Sequence, residues 1–359
     1  MVEIKTTVGS LAFVFSSLLA SCSGCGDNNA VADSGTDTGL DTDTSWDGGP
    51  MTDCEGAAPG ENMVCVKGGK YLLGCMPYDL QCKDNEKPMV EVTLSPFWID
   101  EKEATIEELL PFLNSLHEGY LRGPNWIYKG TEETGLEEVL WQSFSSGITP
   151  VCLNEEIDEY EYSSECSGEY TCDTRSEDAV AGGLGWLAAK MYCEFRGKRL
   201  PTETEWEAAA RGQTKWIYPC AWEHKACWYG KYGCCGAEYE AECPGGCSAP
   251  CCIPFDDDYA GDCESPAGTR GMYGNAAEWV LDHEDSNHSW CSAGCTDPAP
   301  RSGEVAILKG GSIAWSAEWT RISARAVKND NTPINFAGVR CVSSPIDFVL
   351  SDGGVVWGE

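Results

Sequence analysis

The sequence predicts an α+β fold of unusually high loop content, cross-linked by disulfides. Three observations lead there. Strand-like runs are short and end in glycines, clear amphipathic helix patterns occur at only three places, and the chain carries 22 cysteines, 40 glycines and 18 prolines. So many cysteines in a loop-rich chain read as a disulfide framework, which a reducing cytosol would not keep closed. At 359 residues there is room for two or three ordinary domains, or for one large irregular domain with a tail. The formal charge of −34 excludes a nucleic-acid binder, because no basic surface exists to displace counterions from phosphates.

Taken in order, the chain opens with Lys5 and an apolar run over 8–20, the length of a signal h-region and too short to span a bilayer. The run ends Leu19-Ala20-Ser21-Cys22, which resembles a bacterial lipobox with Cys22 as the lipidated residue; the other reading is an ordinary signal peptide cleaved nearby. Ser23 is not acidic, which favours the outer membrane over inner-membrane retention. The expectation is an envelope protein anchored to the membrane through lipid, or a secreted one. Residues 23–53 read as a disordered Asp/Thr/Gly spacer, since they hold too little apolar surface to offset chain entropy. Its aspartates lack the glycine and acidic spacing of a calcium loop.

From Cys54 the composition turns globular. Two strand-like runs flank Gly68-Gly69, 90–94 alternates, and 96–100 reads as a further strand. Thr105 and Glu108 form a capping box before an amphipathic helix that carries Pro111 and is expected to end near Gly119. Residues 120–176 show no clear pattern. A helix over 186–196 stops at Gly197. Next comes the most explicit stretch, 197–212: a turn with Lys198 and Arg199, then Pro201, then a capping box of Thr202 and Glu205. Its amphipathic helix has Trp206, Ala209 and Ala210 at helical spacing, and Gly212 closes it. A Cys-rich insert follows at 220–263. Short runs at 306–312, 321–325 and 338–341 complete the domain, and 347–359 reads as a tail.

These segments, in this order, resemble the formylglycine-generating enzyme, or sulfatase-modifying factor, family. The resemblance runs from 63–74 to 338–341 and is most specific at 197–212, 274–279, Lys309-Gly310-Gly311-Ser312 and Ser323-Ala324-Arg325. It implies a single large irregular domain over 54–346, of the C-type-lectin-like kind. Enzymes of this family oxidise a sulfatase cysteine to formylglycine with molecular oxygen, assisted by copper on two cysteines shortly before the final Ala-Arg. Counted back from Arg325, those positions are Ala317 and Ile322, and no cysteine lies between Cys295 and Cys341. Neither side chain ligates copper or carries thiol redox chemistry, so copper is not expected. The resemblance also implies a calcium site built from the carbonyls of Gly274 and Ala276 and the carboxylate of Glu278. Gly271 stands where a side-chain oxygen would complete it, so the set is incomplete, and the other reading pairs Glu278 with an arginine. A disulfide between Cys193 and Cys341 is implied too.

The 22 cysteines less Cys22 and Cys25 leave twenty, an even number, with Cys75/Cys82, Cys166/Cys172 and Cys291/Cys295 as candidate close pairs. For the insert, disulfides fit better than zinc, because the spacing matches no common finger. His283 and His288 with Asp282, Glu284 and Asp285 read as a solvated acidic loop rather than a metal site. Trp315, Glu318, Trp319 and Arg321 fall where the family's groove would be lined, and are the candidate contacts for a peptide or glycan; core packing is the competing role for the tryptophans. The resulting expectation is a binding or accessory module. The alternative is an oxygen-dependent enzyme with a diverged metal centre, for which four histidines are a poor supply of iron ligands.

Overall fold

A computed structural model describes residues 46–115, 180–220 and 263–344, apart from short gaps at 285–287, 301, 304, 313–314, 330–333 and 335, together with strand backbones within 121–162 and 348–356. All of these belong to one compact unit, Asp43–Glu359. The leader with Cys22, the spacer up to residue 45, Cys166/Cys172 and the interior of the insert lie outside the described residues. Among the described residues no helix is long and apolar enough to cross a membrane.

The runs on either side of Gly68-Gly69 do not form a hairpin with each other. Strand β1 (Met63–Val66) and strand β2 (Gly69–Leu73) enter different sheets. β2 pairs antiparallel with β3 (Val90–Leu94), while β1 pairs antiparallel with β4 (Phe97–Asp100). Gly68 lies at the crossing, where a Cβ would sit 2.6 Å from Pro96 Cδ, so no larger residue fits. Folded structure also begins ahead of Cys54. Thr52 exchanges two backbone hydrogen bonds with Gly68, at 2.8 and 2.7 Å, so the end of the expected spacer belongs to the domain.

Helix α1 (Ile106–Ser115) starts on its expected box. The Thr105 N–H donates to Glu108 Oε2 at 3.1 Å, and the Glu108 N–H to Thr105 Oγ1 at 3.2 Å. Pro111 lies inside the helix. The segment without sequence pattern contains short antiparallel strands: β5 (Leu121–Gly123), β6 (Trp126–Tyr128) and β7 (Trp141–Gln142) in one sheet, β8 (Val151–Asn154) with β9 (Glu159–Tyr162) in another. Helix α2 (Trp186–Phe195) ends at Gly197 (φ 67°), with the Lys198 N–H returning to the Cys193 carbonyl at 2.8 Å. Helix α3 (Glu203–Arg211) carries the second complete capping box, and Gly212 follows with φ 59°.

β10 (Ala277–His283) sits at the centre of the largest sheet, flanked by antiparallel β12 (Ala306–Lys309) and parallel β14 (Ala337–Gly338), with β13 (Ala326–Lys328) outside β12. β11 (Cys295–Thr296) extends the β2–β3 sheet, and β15 (Val342–Ser343) extends β4. The tail holds a small antiparallel ribbon, Phe348–Val349 on Val355–Val356. One core cluster joins α1 and α2 to β10 and β12 around Trp279; a second joins α3 to β2, β3 and β4 around Trp206. Five disulfides staple the described residues: Cys54/Cys65, Cys75/Cys82, Cys193/Cys341, Cys220/Cys263 and Cys291/Cys295. Cys193/Cys341 ties α2 to the start of β15 across 148 residues.

Helix α3 differs from its expected amphipathic form. Every residue from Glu203 to Arg211 is buried, including five that are charged or polar. A helix enclosed on all sides requires its charges to be paired internally, and they are.

Candidate functional site

The site is built on the chain that leaves β12 and runs to Arg325. Gly310 (φ 84°) and Gly311 (φ 71°) turn the backbone beneath a short 3-10 helix, Ala317–Thr320. A Cβ on Gly311 would lie 2.9 Å from Thr320 Cγ2 and 3.0 Å from the Trp319 backbone, so the crossing requires glycine. Trp315 and Trp319 meet edge to face, with centroids 5.9 Å apart, and both are half-buried against the first core cluster. The Lys83 ammonium lies 3.2 Å from the Trp319 ring centroid, a cation–π contact, and Glu318 is exposed beside them.

Arg321 does not face a groove. It is wholly buried and donates to Glu86 at 2.6 and 2.8 Å and to Asp79 at 2.9 Å, while Ser323 Oγ adds a bond to Glu86 at 3.1 Å. Burial alone would lower the Arg321 pKa, but its bonds and charge interactions with Glu86 and Asp79 outweigh that and raise it. The expectation that Arg321 contacts a ligand is therefore corrected: two buried carboxylates consume its donors.

Ala317 and Ile322 are placed differently from each other. Ala317 is half-buried and packs, with Ile217 and Cys220, on the cluster of Tyr218, Tyr273 and Cys263. Ile322 is fully buried in the second core, and its N–H donates to the Ile217 carbonyl at 2.9 Å. Among the described residues one group of metal-capable side chains gathers within 4.8 Å: Cys75, Cys82 and Glu86. The two sulfurs are joined to each other and Glu86 is spent on Arg321 and Ser323, so the group fits a staple rather than an ion.

Beneath the strip lies an ionic floor. Glu203 accepts two bonds from Arg325, both 2.6 Å, and one from Lys309 at 3.3 Å; Lys309 also reaches Glu207 at 2.8 Å. Glu207 accepts from the Gly74 N–H at 2.8 Å, while Arg211 donates to the carbonyls of Leu72 and Gly74. Of the His/acid cluster, Asp285 lies outside the described residues, and the other four do not form a solvated loop: Asp282 and His288 are buried and His283 and Glu284 half-buried. His288 is fully buried with Nε2 3.6 Å from Glu203, Asp282 accepts from the Glu203 N–H at 2.7 Å, and Glu284 accepts from Asn85 at 2.7 Å. Sequence reading passed over Asp79, Glu86, Glu203 and Glu207. The available signal was the placement of Glu203 and Glu207 four apart on a helix that also presents Trp206 inward.

The loop before β10 holds the other candidate set. Glu278, fully buried, accepts from Trp206 Nε1 at 2.7 Å and from Arg340 at 3.0 and 2.8 Å. Glu103, buried nearby, accepts from Asn275 Nδ2 at 3.0 Å and from the Ala276 N–H at 3.4 Å. Burial pushes the Glu103 carboxyl up to about 8, with Arg340 opposing the shift and Glu278 adding to it.

The frame thus combines many short strands, a doubly capped inner helix and paired buried arginines. Residues 50–345 match the model of the sulfatase-modifying factor enzyme 1-like domain. The chain belongs to the sulfatase-modifying factor family. Within it, the chain is 26% identical over 309 residues to a formylglycine-generating enzyme of Thermomonospora curvata, covering 80% of this chain and 94% of that one. It is 25% identical over 299 residues to a Bos taurus protein named inactive C-alpha-formylglycine-generating enzyme 2, covering 79% and 88%. Among solved structures, PvdO from Pseudomonas aeruginosa shares the fold, with a TM-score of 0.54 at 17% identity over 82% of this chain and 98% of that one. This sulfatase-modifying-factor domain therefore has relatives named as formylglycine-generating enzymes and relatives named as inactive, and its own residues have to separate the two.

Proposed function

We propose that this sulfatase-modifying-factor domain is a binding or accessory module rather than a formylglycine-forming oxidase. One observation carries the reading: alanine and isoleucine, at 317 and 322, occupy the positions where the family resemblance expects the thiol pair, and no cysteine lies between Cys295 and Cys341. Neither side chain offers copper a ligand or the reaction an electron carrier, so no step can be written through copper here. Ile322, moreover, is fully buried in the second core cluster. The ligand surface in this reading is the half-buried Trp315/Trp319 edge with Glu318 and Lys83 at its rim, suited to stacking and hydrogen bonding with a peptide or glycan. Its setting is the cell envelope, with Cys22 as the lipid anchor; five disulfides among the described residues suit that oxidising compartment.

The test is metal analysis of the purified chain combined with oxygen consumption on a cysteine-containing sulfatase peptide. Absence of stoichiometric copper and of formylglycine, with peptide or glycan binding lost in W315A and W319A, is the expected result. Copper at one per chain with formylglycine formed would overturn the reading.

A further inference from the structure

We infer that the loop carrying Gly274, Ala276 and Glu278 is held by an internal cation, the Arg340 guanidinium, and takes no calcium. The observations lie in one buried cluster. Both Glu278 oxygens are committed: Oε2 accepts from Trp206 Nε1 and Arg340 Nε, at 2.7 and 3.0 Å, and Oε1 from Arg340 Nη2 at 2.8 Å. This is a bidentate guanidinium–carboxylate pair at full burial, the geometry in which such a pair is strongest. The guanidinium cannot swing aside for an ion, because Nη1 also donates to the Asp100 carbonyl at 2.9 Å and Nη2 to the Arg270 carbonyl at 2.6 Å.

The rest of the loop is equally ill-suited to a dication. Asn275 Nδ2 and the Ala276 N–H both point their protons at Glu103 Oε1, so donors converge where a calcium ion needs oxygens. Gly271, where a side-chain ligand would be required, has no room for one: a Cβ there would lie 2.0 Å from Glu103 Oε2. That oxygen is itself 3.7 Å from Arg340 Nη2. Calcium takes roughly six to eight oxygens at about 2.3–2.6 Å. With Glu278 spent and Gly271 bare, the ligand set that the family resemblance implies is reduced to the carbonyls of Gly274 and Ala276. A divalent ion would also have to settle beside a fixed guanidinium in a low-dielectric interior, where like charges repel strongly.

The test is thermal unfolding of the full chain, disulfides intact, in EDTA, in millimolar calcium and in equal magnesium, with E278Q in parallel. The expected result is a wild-type Tm that agrees between calcium and magnesium to within about 1 °C, since an ion that does not bind the native state cannot shift its unfolding. A calcium-specific rise of several degrees in the wild type that E278Q removes would overturn the inference. A rise that E278Q retains places the ion elsewhere and upholds it. Should E278Q fail to fold, E103Q takes its place, because it alters the oxygen facing Gly271 and keeps the side-chain shape.

Discussion

Replacing Arg321 with methionine separates a structural arginine from a ligand-contacting one. The substitution keeps an unbranched side chain and removes the charge. It leaves Glu86, wholly buried, with Ser323 as its remaining side-chain donor, and takes from Asp79 a bond of 2.9 Å. Breaking a buried pair by deleting one partner costs about 3–5 kcal/mol, because the orphaned charge stays desolvated. For a domain of this size that is a fall in Tm on the order of 10 °C. The assay is urea unfolding under non-oxidising, non-reducing conditions that preserve the disulfides, followed by tryptophan fluorescence, with m compared between variants. E86Q supplies the second arm. Because the orphaned carboxylate causes most of the loss, R321M/E86Q should be less unstable than the two single losses sum to, by about 1–3 kcal/mol of coupling. R321M within about 1 kcal/mol of wild type at unchanged m would refute the reasoning.

Three further outcomes follow from the same geometry. Alanine at both Cys193 and Cys341 should cost about 5 kcal/mol, from the chain-entropy estimate for a separation of 148 residues, read as a lowered urea midpoint. Thr202→Ala removes the cap on the Glu205 N–H and should cost about 1 kcal/mol, whereas Thr202→Ser, which keeps the oxygen, should cost less. Glu103 gives stability a pH dependence. Its carboxyl is raised from 4.5 to about 8, so the folded state holds a proton that the unfolded chain releases. Its contribution is fully present below the unfolded value and is lost as pH rises through the folded one. Between about pH 5 and pH 8 wild-type stability should therefore decline, by at most about 1.4 kcal/mol per unit, levelling off above the folded pKa, and E103Q should flatten the decline. A wild-type profile parallel to E103Q would count against a neutral Glu103.

The ionic floor under the site, Glu203 with Arg325 and Lys309, is complete, and so is the frame around Glu278 and Arg340. The residues that the family resemblance links to oxidation are alanine and isoleucine. A frame of buried ion pairs is costly to lose singly, because each deletion strands a charge, while alanine or isoleucine in place of a thiol strands none. On the proposed reading, that asymmetry lets a domain keep its architecture without a thiol pair.

Local chemistry was legible in the sequence wherever it acts within a few residues. Both capping boxes, the glycine stops at 197 and 212 and the presence of a disulfide framework depend on short-range sterics and hydrogen bonds, or on composition alone. The motif pattern located the family. What the tertiary structure alone decided is where charge goes. Asp79, Glu86, Glu203, Arg321 and Arg340 look like surface residues in any local window, since an isolated charge belongs in water. Each is buried because a partner arrives from far along the chain, as Arg321 meets Glu86 across 235 positions. Neither periodicity nor spacing encodes such a meeting. The same holds for β1 and β2, adjacent in sequence and placed in different sheets: register is set by partners brought in by folding, and only the assembled core names them.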